Sequence, residues 1–239
     1  MSILVVSGTG TEVGKTVVTA GIAANQLRAN RSVAVVKPVQ TGVEGDEPGD
    51  LAEVQRLTGA DALFEFERYS DPLAPAAAAR LAHRPMADLK VAATRIQELA
   101  AQFDMVLVEG AGGLLVRFDD APTTLADLAS WLGAPILTVV HASLGTLNHT
   151  ELTLAHMRSH GLASAGVVVG SWPTSPDLAS RCNLRDLEAI SGGRLRGVLP
   201  ESAAQLGQFE FGQAAYEGLD QSLQGCFDAI AFRAKHDPT

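Results

Sequence analysis

Five short apolar runs recur along the chain, each rich in β-branched residues: Ile3–Val6, Val33–Val36, Met105–Val108, Ile136–Val140 and Gly166–Val169. Runs of this length and composition are typical of strands buried on both faces. The segments with helical periodicity that separate and follow them are Lys15–Arg28, Asp88–Gln102, Thr124–Leu132, Leu147–His160 and Asp177–Ile190. Parallel strands require crossover connections of that length. The alternation therefore predicts an α/β fold with a doubly wound, mainly parallel sheet flanked by helices.

The remaining segments extend this pattern. A weaker run at Leu195–Leu199 indicates one more strand, and the closing segment Gly212–Arg233 is expected to include a helix over the sheet edge. Gly42–Asp50 is rich in glycine and acidic residues, is too short for a domain linker and follows a strand, so we interpret it as an active-site loop. A chain of 239 residues without internal repeats fits one core, so we predict a single domain over residues 1–239.

Composition and charge limit the binding partners and the cellular compartment that can be expected for the chain. A net charge of −9 without a basic run disfavours nucleic acid as a partner. The longest apolar stretches are far shorter than the ~20 residues that a bilayer crossing requires, so no membrane span is expected. The first residues enter a strand without a basic, signal-like segment, which makes the cytoplasm the expected location. Cys182 and Cys226 have neither CxxC spacing nor a metal-ligand cluster, and we expect them to pack in a reducing compartment.

A glycine-rich loop, Gly8–Thr16, lies directly between the first predicted strand and the first predicted helix. Its glycines allow backbone N–H groups to converge on phosphate oxygens, Lys15 adds a cation, and the Thr16 hydroxyl is a ligand suited to Mg²⁺. The spacing from Gly8 to Gly14 is one residue longer than in G-x-x-x-x-G-K-[ST], so a strict pattern search misses it. A dinucleotide fingerprint is rejected, because Val13 stands where the third glycine belongs.

Three charged residues lie where the chemistry of such a fold concentrates. Glu109 ends the run Met105–Val108 and precedes flexible glycines, so it is either a Mg²⁺ ligand or an acidic strand cap. Lys37 ends the second run on the same predicted sheet edge, either solvated or turned towards the phosphates. Asp50 begins a predicted helix, as an N-cap or as a metal ligand.

One predicted helix carries His149, His156 and His160, and the last two have a spacing that a metal site would use. Without an HExxH motif or a cysteine nearby, we interpret them as a solvated or packed helix face. The turn that opens this helix, Leu144–Asn148, has backbone groups suited to a ligand, and the residues alone leave its role open.

Four motifs taken together resemble the dethiobiotin synthetase family in order and spacing, over residues 1 to about 200. They are the extended loop Gly8–Thr16, Lys37-Pro38 with Thr41-Gly42, Glu109-Gly110-Ala111-Gly112-Gly113, and Leu144-Gly145-Thr146-Leu147-Asn148-His149-Thr150. The resemblance implies a P-loop NTPase fold and a homodimeric ligase of biotin biosynthesis. It implies that ATP, Mg²⁺ and CO₂ are used to close the ureido ring of dethiobiotin from 7,8-diaminononanoate, with release of ADP and phosphate.

The resemblance also implies roles for individual residues. Mg²⁺ would be held by Thr16, Asp50 and Glu109. Catalysis would fall to Lys37, Lys15, Thr11 and Glu12. The nucleotide would contact Glu12, Val13, Gly14, Lys15, Thr16, Val17, Asp50, Glu109, Gly110, Ala111, Gly112, Gly170, Ser171, Leu199, Pro200 and Glu201. The diamine would contact Lys37, Thr41 and Thr11, and a neighbouring subunit would contribute Leu144, Gly145, Thr146, Leu147 and Asn148.

The chain departs from the family pattern at two places. Gly10 replaces an Asp that many members carry, without removing a phosphate ligand. Gly170-Ser171-Trp172-Pro173 stands where many relatives place an Asn that reads the adenine edge. We therefore expect the base to be surrounded by backbone groups and to be selected less strictly, with ATP as the family default.

Other protein classes share parts of this pattern. Regulatory ATPase switches of the partitioning or cell-division-site type carry a lysine five residues before the loop lysine, where this chain has Gly10. A glutamine-dependent amidotransferase requires an appended glutaminase domain that 239 residues cannot hold. A kinase or hydrolase acting on another small carboxylated amine would present a similar phosphoryl-transfer site and stays open.

Overall fold

A computed structural model describes residues 3–237, which form one seven-stranded sheet. Its strands are β1 Ile3–Gly8, β2 Val33–Thr41, β3 Leu63–Tyr69, β4 Met105–Gly113, β5 Ile136–Val140, β6 Ser164–Trp172 and β7 Leu195–Pro200. Every neighbouring pair is parallel, and the spatial order is β3-β2-β4-β1-β5-β6-β7. The order reverses at β1, so the carboxyl ends of the central strands form the crevice where ligands bind in such sheets.

Nine α-helices occur in the described part of the chain: α1 Lys15–Arg28, α2 Asp50–Thr58, α3 Pro75–Leu81, α4 Leu89–Ala100, α5 Leu125–Leu132, α6 Thr146–Ser159, α7 Leu178–Ile190, α8 Gln208–Gly218 and α9 Ala229–His236. Successive strand residues point to opposite faces. On one face, Val6 and Leu107 pack with α1, α2 and α8. On the other, Val5 and Val108 pack with α3 to α7 and α9. The predicted doubly wound α/β fold is confirmed.

Two elements were not predicted, β3 and α3. In β3 the apolar residues Leu63, Phe64 and Phe66 are interspersed with charged ones, and all but Tyr69 are only half-buried. A search for continuous apolar runs finds interior strands and misses a half-exposed edge strand of this kind. Helix α3 is a short alanine-rich segment that begins at Pro75, with too few large apolar residues to show a periodicity.

The closing segment was expected to include a helix, and it contains parts of two, α8 and α9. Helix α8 ends at Gly218, and α9 begins only at Ala229. A Cβ at Gly218 would lie 2.8 Å from the Val198 carbonyl oxygen, so glycine is required where the chain leaves α8 against β7. Helix α8 packs on α1 and on β7, which is an edge strand of the sheet.

The expectation that both cysteines pack inside the protein is wrong, because Cys182 and Cys226 are exposed free thiols. Within residues 3–237, no helix has the length and apolarity that a membrane crossing requires.

Candidate active site

The phosphate loop joins β1 to α1 at the crevice. Gly14 precedes the helix with φ 91°, a left-handed conformation that favours glycine. The first turn of α1 has neither a side-chain cap nor an acidic residue, so its N–H groups and positive helix end are available to an anion. The Lys15 ammonium folds back over the loop and donates to the Gly10 carbonyl oxygen at 2.7 Å. The local structure is that of a phosphate-binding loop.

A buried cluster of opposite charges lies beside this loop. The Lys37 ammonium is 2.8 Å from Glu109 Oε1 and 2.5 Å from Asp50 Oδ2, and it donates to the Gly110 carbonyl oxygen at 3.2 Å. The Thr16 hydroxyl donates to the same Glu109 oxygen at 2.9 Å. Glu109 is fully buried and Lys37 is 3% exposed. Side chains from β2, β4, α1 and α2 therefore meet at one point.

This geometry decides two alternatives that the sequence left open. Lys37 turns inward among carboxylates, so it is not a solvated strand end. Asp50 is not the N-cap of α2, because that position belongs to Gly49 and the Asp50 carboxylate pairs with Lys37. The Glu109 side chain is enclosed within the cluster rather than placed at the surface.

The two lysines of the site differ in electrostatics. Burial, followed by the repulsion of Lys37, lowers the pKa of Lys15 to about 8. Burial also acts to lower the pKa of Lys37, but the carboxylates of Glu109 and Asp50 outweigh it and hold that pKa above its ordinary value. Lys37 is therefore a fixed cation, whereas the charge of Lys15 is favoured further when an anion approaches.

The donor set fits a Mg²⁺ ion. Glu109 Oε2 is buried and has no hydrogen-bond partner among the described residues. The other oxygen of this carboxyl group, Oε1, accepts from the Thr16 hydroxyl and pairs with Lys37. Lys37 in turn pairs with the Asp50 carboxylate. Mg²⁺ prefers hard oxygen ligands and retains water and phosphate oxygens, so few protein carboxylates suffice. Within residues 3–237, no group of three or more His, Cys, Asp or Glu side chains could hold a metal ion.

A cleft of about 530 Å³ opens above the cluster. Of the predicted site residues, it is lined by Thr11, Glu12, Gly14, Lys15, Thr16, Val17, Lys37, Thr41, Asp50, Glu109, Ala111 and Gly112. Gly42, the first residue of the predicted active-site loop, lines it as well, and so do Gln40 and Pro72, which were not predicted. Two further predicted residues are buried and do not line the cleft, Val13 within the loop and Gly110 within β4.

The predicted base-side residues lie at the ends of the neighbouring strands β6 and β7. Gly170 packs against the phosphate loop so closely that a Cβ there would lie 2.1 Å from the Val13 carbonyl oxygen. Ser171 follows it in β6. In β7, Leu199 is fully buried and Pro200 is exposed, and Glu201, just after the strand, is exposed as well. None of these residues lines the cleft of the charged cluster.

On the base side, two hydrogen bonds join Glu201 to Trp172 and Thr174. The Glu201 carboxylate accepts a hydrogen bond from the Thr174 backbone N–H at 2.9 Å, which lowers the pKa of that carboxyl group. The Glu201 N–H donates to the Trp172 carbonyl oxygen at 2.9 Å. Trp172 itself points into the core, edge-on to Phe232 of α9 with ring centroids 5.4 Å apart.

The turn Leu144–Asn148 does not reach the cleft within one chain. Leu144 is 85% exposed, Gly145 adopts φ 95° and Thr146 begins α6. Along the same helix, His149 is exposed, and the rings of His156 and His160 stack with centroids 3.9 Å apart. Burial, followed by the proximity of His160, lowers the pKa of His156.

The fold and the loop together define the chain as a nucleotide-binding P-loop protein. The sequence model of the AAA domain family matches residues 2–206. Among solved structures, the Aquifex aeolicus MinC:MinD cell division complex aligns with a TM-score of 0.55 at 14% identity, covering 98% of this chain and 95% of that one. The Pyrococcus furiosus cell division ATPase MinD aligns with a TM-score of 0.55 at 20% identity, covering 98% and 97%. At these identities the likeness concerns the fold alone.

Curated proteins of similar sequence identify the family of the chain within this class. The ATP-dependent dethiobiotin synthetase BioD of Streptomyces avermitilis is 54% identical over 238 residues, 100% of each chain. The protein of the same name from Saccharopolyspora erythraea is 56% identical over 225 residues, covering 94% of this chain and 98% of the relative. The chain therefore belongs to the ATP-dependent dethiobiotin synthetase family. The resemblance read from four motifs is confirmed, in preference to the regulatory ATPase class.

Proposed function

We propose that this chain is a Mg²⁺-dependent ligase that closes the ureido ring of dethiobiotin from 7,8-diaminononanoate, CO₂ and ATP. The observation that carries the proposal is the position of Lys37, buried between Glu109 and Asp50 at the edge of the phosphate loop, in a chain of this family. A cation held there lies beside both the cleft and the triphosphate position.

The reaction joins two anions. One amine of the diamine adds to CO₂ and loses a proton, which gives a carbamate. A carbamate oxygen attacks the γ-phosphorus and ADP leaves, forming a carbamic–phosphoric anhydride. The second amine attacks the carbonyl carbon and loses its proton, the C–O bond to phosphate breaks, and the ring closes with release of inorganic phosphate.

The protein's part in these steps is to position and neutralise charge, since phosphoryl transfer needs little covalent work from it. Lys37 would bind the carbamate and the transferring phosphoryl oxygens. Lys15 would leave the Gly10 carbonyl and contact the triphosphate, while the N–H groups from Glu12 to Val17 surround the phosphates. Thr16, Asp50 and Glu109 would hold Mg²⁺, which neutralises charge on the phosphate oxygens when bound.

The diamine is proposed to lie across the cleft opening, against Thr11, Glu12 and Thr41. All three residues line the cleft together with Lys37. Their hydroxyl and carboxylate groups are suited to bind amines by hydrogen bonds and charge. This arrangement would bring both amines of the substrate to the carbon that they must share.

The far end of the substrate is proposed to contact a second copy of the chain, through Leu144, Gly145, Thr146, Leu147 and Asn148. Exposed apolar side chains in this turn and on the helix that follows it support an interface, with Leu144 at 85% and Leu152 at 63% exposure. In a two-fold dimer the same surface is used by both subunits, so each turn would complete its partner's site.

The base is proposed to lie at Gly170, Ser171, Leu199, Pro200 and Glu201. Backbone groups and a carboxylate already bonded to Thr174 dominate this region, so ATP is the expected co-substrate but other bases are expected to be accepted. The cytoplasm, where ATP and bicarbonate are available together, is the expected location.

The test is phosphate release with Mg²⁺, bicarbonate and ATP, with and without 7,8-diaminononanoate. Release that requires the diamine is expected, and mass spectrometry should detect dethiobiotin in the same mixture. Release with a different carboxylated amine but not with this diamine would assign the site to another small-molecule kinase or ligase. Size measurement by light scattering should give the mass of two chains.

A further inference from the structure

Helix α2, which carries Asp50, begins without a cap of its own. Its N-cap position is Gly49, which has no side chain to accept a hydrogen bond from the first turn. The missing acceptor comes from another element, because Oε1 of Gln40 in β2 accepts the Asp50 backbone N–H at 2.9 Å. The start of α2 is therefore tied directly to the strand that carries Lys37.

The Gln40 amide is held in one orientation. Its Nε2 donates to the Thr41 carbonyl oxygen at 3.0 Å, while its Oε1 accepts from Asp50. A carbonyl only accepts and a backbone N–H only donates, so exchanging the amide oxygen and nitrogen would break both bonds. Gln40 is 4% exposed, which leaves it little freedom to turn away.

The absence of a Cβ at Gly49 allows the Gln40 side chain to approach the start of α2. Its φ of −97° is open to any residue, so conformation does not require glycine there. A Cβ at Gly49 would lie 2.8 Å from Gln40 Oε1 and 3.0 Å from its Cδ. The nearest atoms to that Cβ all belong to the Gln40 side chain, so the two residues form one fitted contact.

The loop before Gly49 is held from the other side by Arg68. Its guanidinium donates to the carbonyl oxygens of Gly45 at 2.9 Å and Glu47 at 2.7 Å, and its orientation is fixed by a two-bond pair with Glu65 at 2.6 and 2.9 Å. The β2–α2 connection is thus anchored at both ends. Asp50, whose backbone N–H is bonded to Gln40, has its carboxylate 2.5 Å from the Lys37 ammonium.

We infer that Gln40 is a positioning residue, which caps α2 from β2 and thereby holds the Asp50 carboxylate against Lys37 and at the proposed Mg²⁺ site. This inference rests on the proposed role of Asp50. Residues that orient a metal ligand without touching the metal typically change metal affinity about 10- to 100-fold when lost.

The first test compares Gln40→Met, which keeps the length but loses the acceptor, with the control Gln55→Met on the exposed side of the same helix. The Mg²⁺ concentration for half-maximal phosphate release should rise about tenfold or more in Gln40→Met and stay unchanged in the control. The Mg²⁺-dependent part of the thermal stabilisation by ADP should shift in parallel. An unchanged Mg²⁺ dependence in Gln40→Met overturns the inference.

A second test perturbs the same contact from the Gly49 side. Gly49→Ala should raise the half-maximal Mg²⁺ concentration in the wild-type background, because its Cβ displaces Gln40. In a Gln40→Ala background the displaced atoms are gone, so the same substitution should add nothing further. Equal effects of Gly49→Ala in both backgrounds would contradict a shared contact and overturn the inference.

The two readouts separate this inference from the proposed function. If the wild-type protein releases no phosphate in response to the diamine, the proposed function fails. The ADP-induced thermal stabilisation still reports on Mg²⁺ binding in that case. A shift of its Mg²⁺ dependence in Gln40→Met then supports the positioning role, and no shift rejects it.

Discussion

The phosphate side and the base side of the crevice are built from different parts of the chain. On the phosphate side, at the ends of β1, β2 and β4, buried side chains form the contacts, and Lys37 joins Glu109 and Asp50 within 2.8 Å. On the base side, at the ends of β6 and β7, backbone atoms dominate, and Gly170 packs directly on the loop backbone.

This difference predicts two kinds of sensitivity to mutation. Where a buried charged side chain forms the contact, removing it leaves partners unpaired in a poorly solvated place, which is costly. Where backbone forms the contact, removing side chains changes little, and damage arises when an added Cβ pushes the backbone apart. Substitutions on the two sides of the crevice can test this contrast.

Lys37→Ala should have the largest effect on turnover. Loss of a cation that stabilises charge during phosphoryl transfer typically costs on the order of 10²–10³ in kcat. Binding of Mg·nucleotide should remain, because the phosphate loop is intact. Steady-state phosphate release and nucleotide titration measure the two properties, with exposed Lys90→Ala as the control. Turnover like that of the wild type in Lys37→Ala would reject the role of Lys37.

Glu109→Gln should weaken Mg²⁺ binding while it keeps the size of the side chain. The amide keeps the size of the side chain but removes the charge next to Lys37 and the carboxylate that Thr16 contacts. We expect the Mg²⁺ requirement to rise and kcat to fall by about 10² at fixed Mg²⁺. Titration of Mg²⁺ measures this, with exposed Glu98→Gln as the control. An unchanged Mg²⁺ titration would remove Glu109 from the metal site.

Gly170→Ala tests the base side by adding atoms. The new Cβ would meet the Val13 carbonyl oxygen at 2.1 Å and Val139 Cγ1 at 2.7 Å, so we expect a loss of roughly 1–3 kcal/mol in the free energy of unfolding. Nucleotide affinity should fall with it, since Val13 belongs to the phosphate loop. Gly212→Ala has open space and lies within α8, so it should stabilise by roughly 1 kcal/mol. Denaturant unfolding compares the two variants.

The smallest effect is expected at Glu201. Glu201→Ala removes the bond to the Thr174 N–H but leaves the backbone bond from the Glu201 N–H to Trp172. Turnover with ATP, CTP and GTP should each change by about tenfold or less, the scale of one hydrogen bond. A large and base-specific loss would show that a side chain, not backbone, selects the base.

The sequence predicted the interior strands of the sheet and the position of two charged residues at one edge of it. Continuous β-branched runs mark strands buried on both faces, and their ends fixed Lys37 and Glu109 on the same edge. The edge strand β3 was not predicted, because its half-exposed residues are a mixture of apolar and charged types. Asp50 stayed ambiguous because its role depends on which way one side chain turns, and this is set by contacts with β2.

The capping role of Gln40 could not be predicted from local sequence patterns. A glutamine in an apolar strand has no motif, and its partner is the backbone N–H of a residue ten positions later. Gly49 likewise looked like one of several loop glycines, although its lack of a Cβ is what admits Gln40. Both roles depend on tertiary packing rather than on residue type or spacing.

The most direct test of the proposed reaction follows the carbon that both amines must share. The protein is incubated with Mg·ATP, 7,8-diaminononanoate and ¹³C-labelled bicarbonate, and the product is analysed by mass spectrometry alongside released phosphate. We predict dethiobiotin with the label in its ureido carbonyl, formed in the same amount as phosphate. Phosphate release that is indifferent to the diamine, without a labelled product, would contradict the ligase assignment.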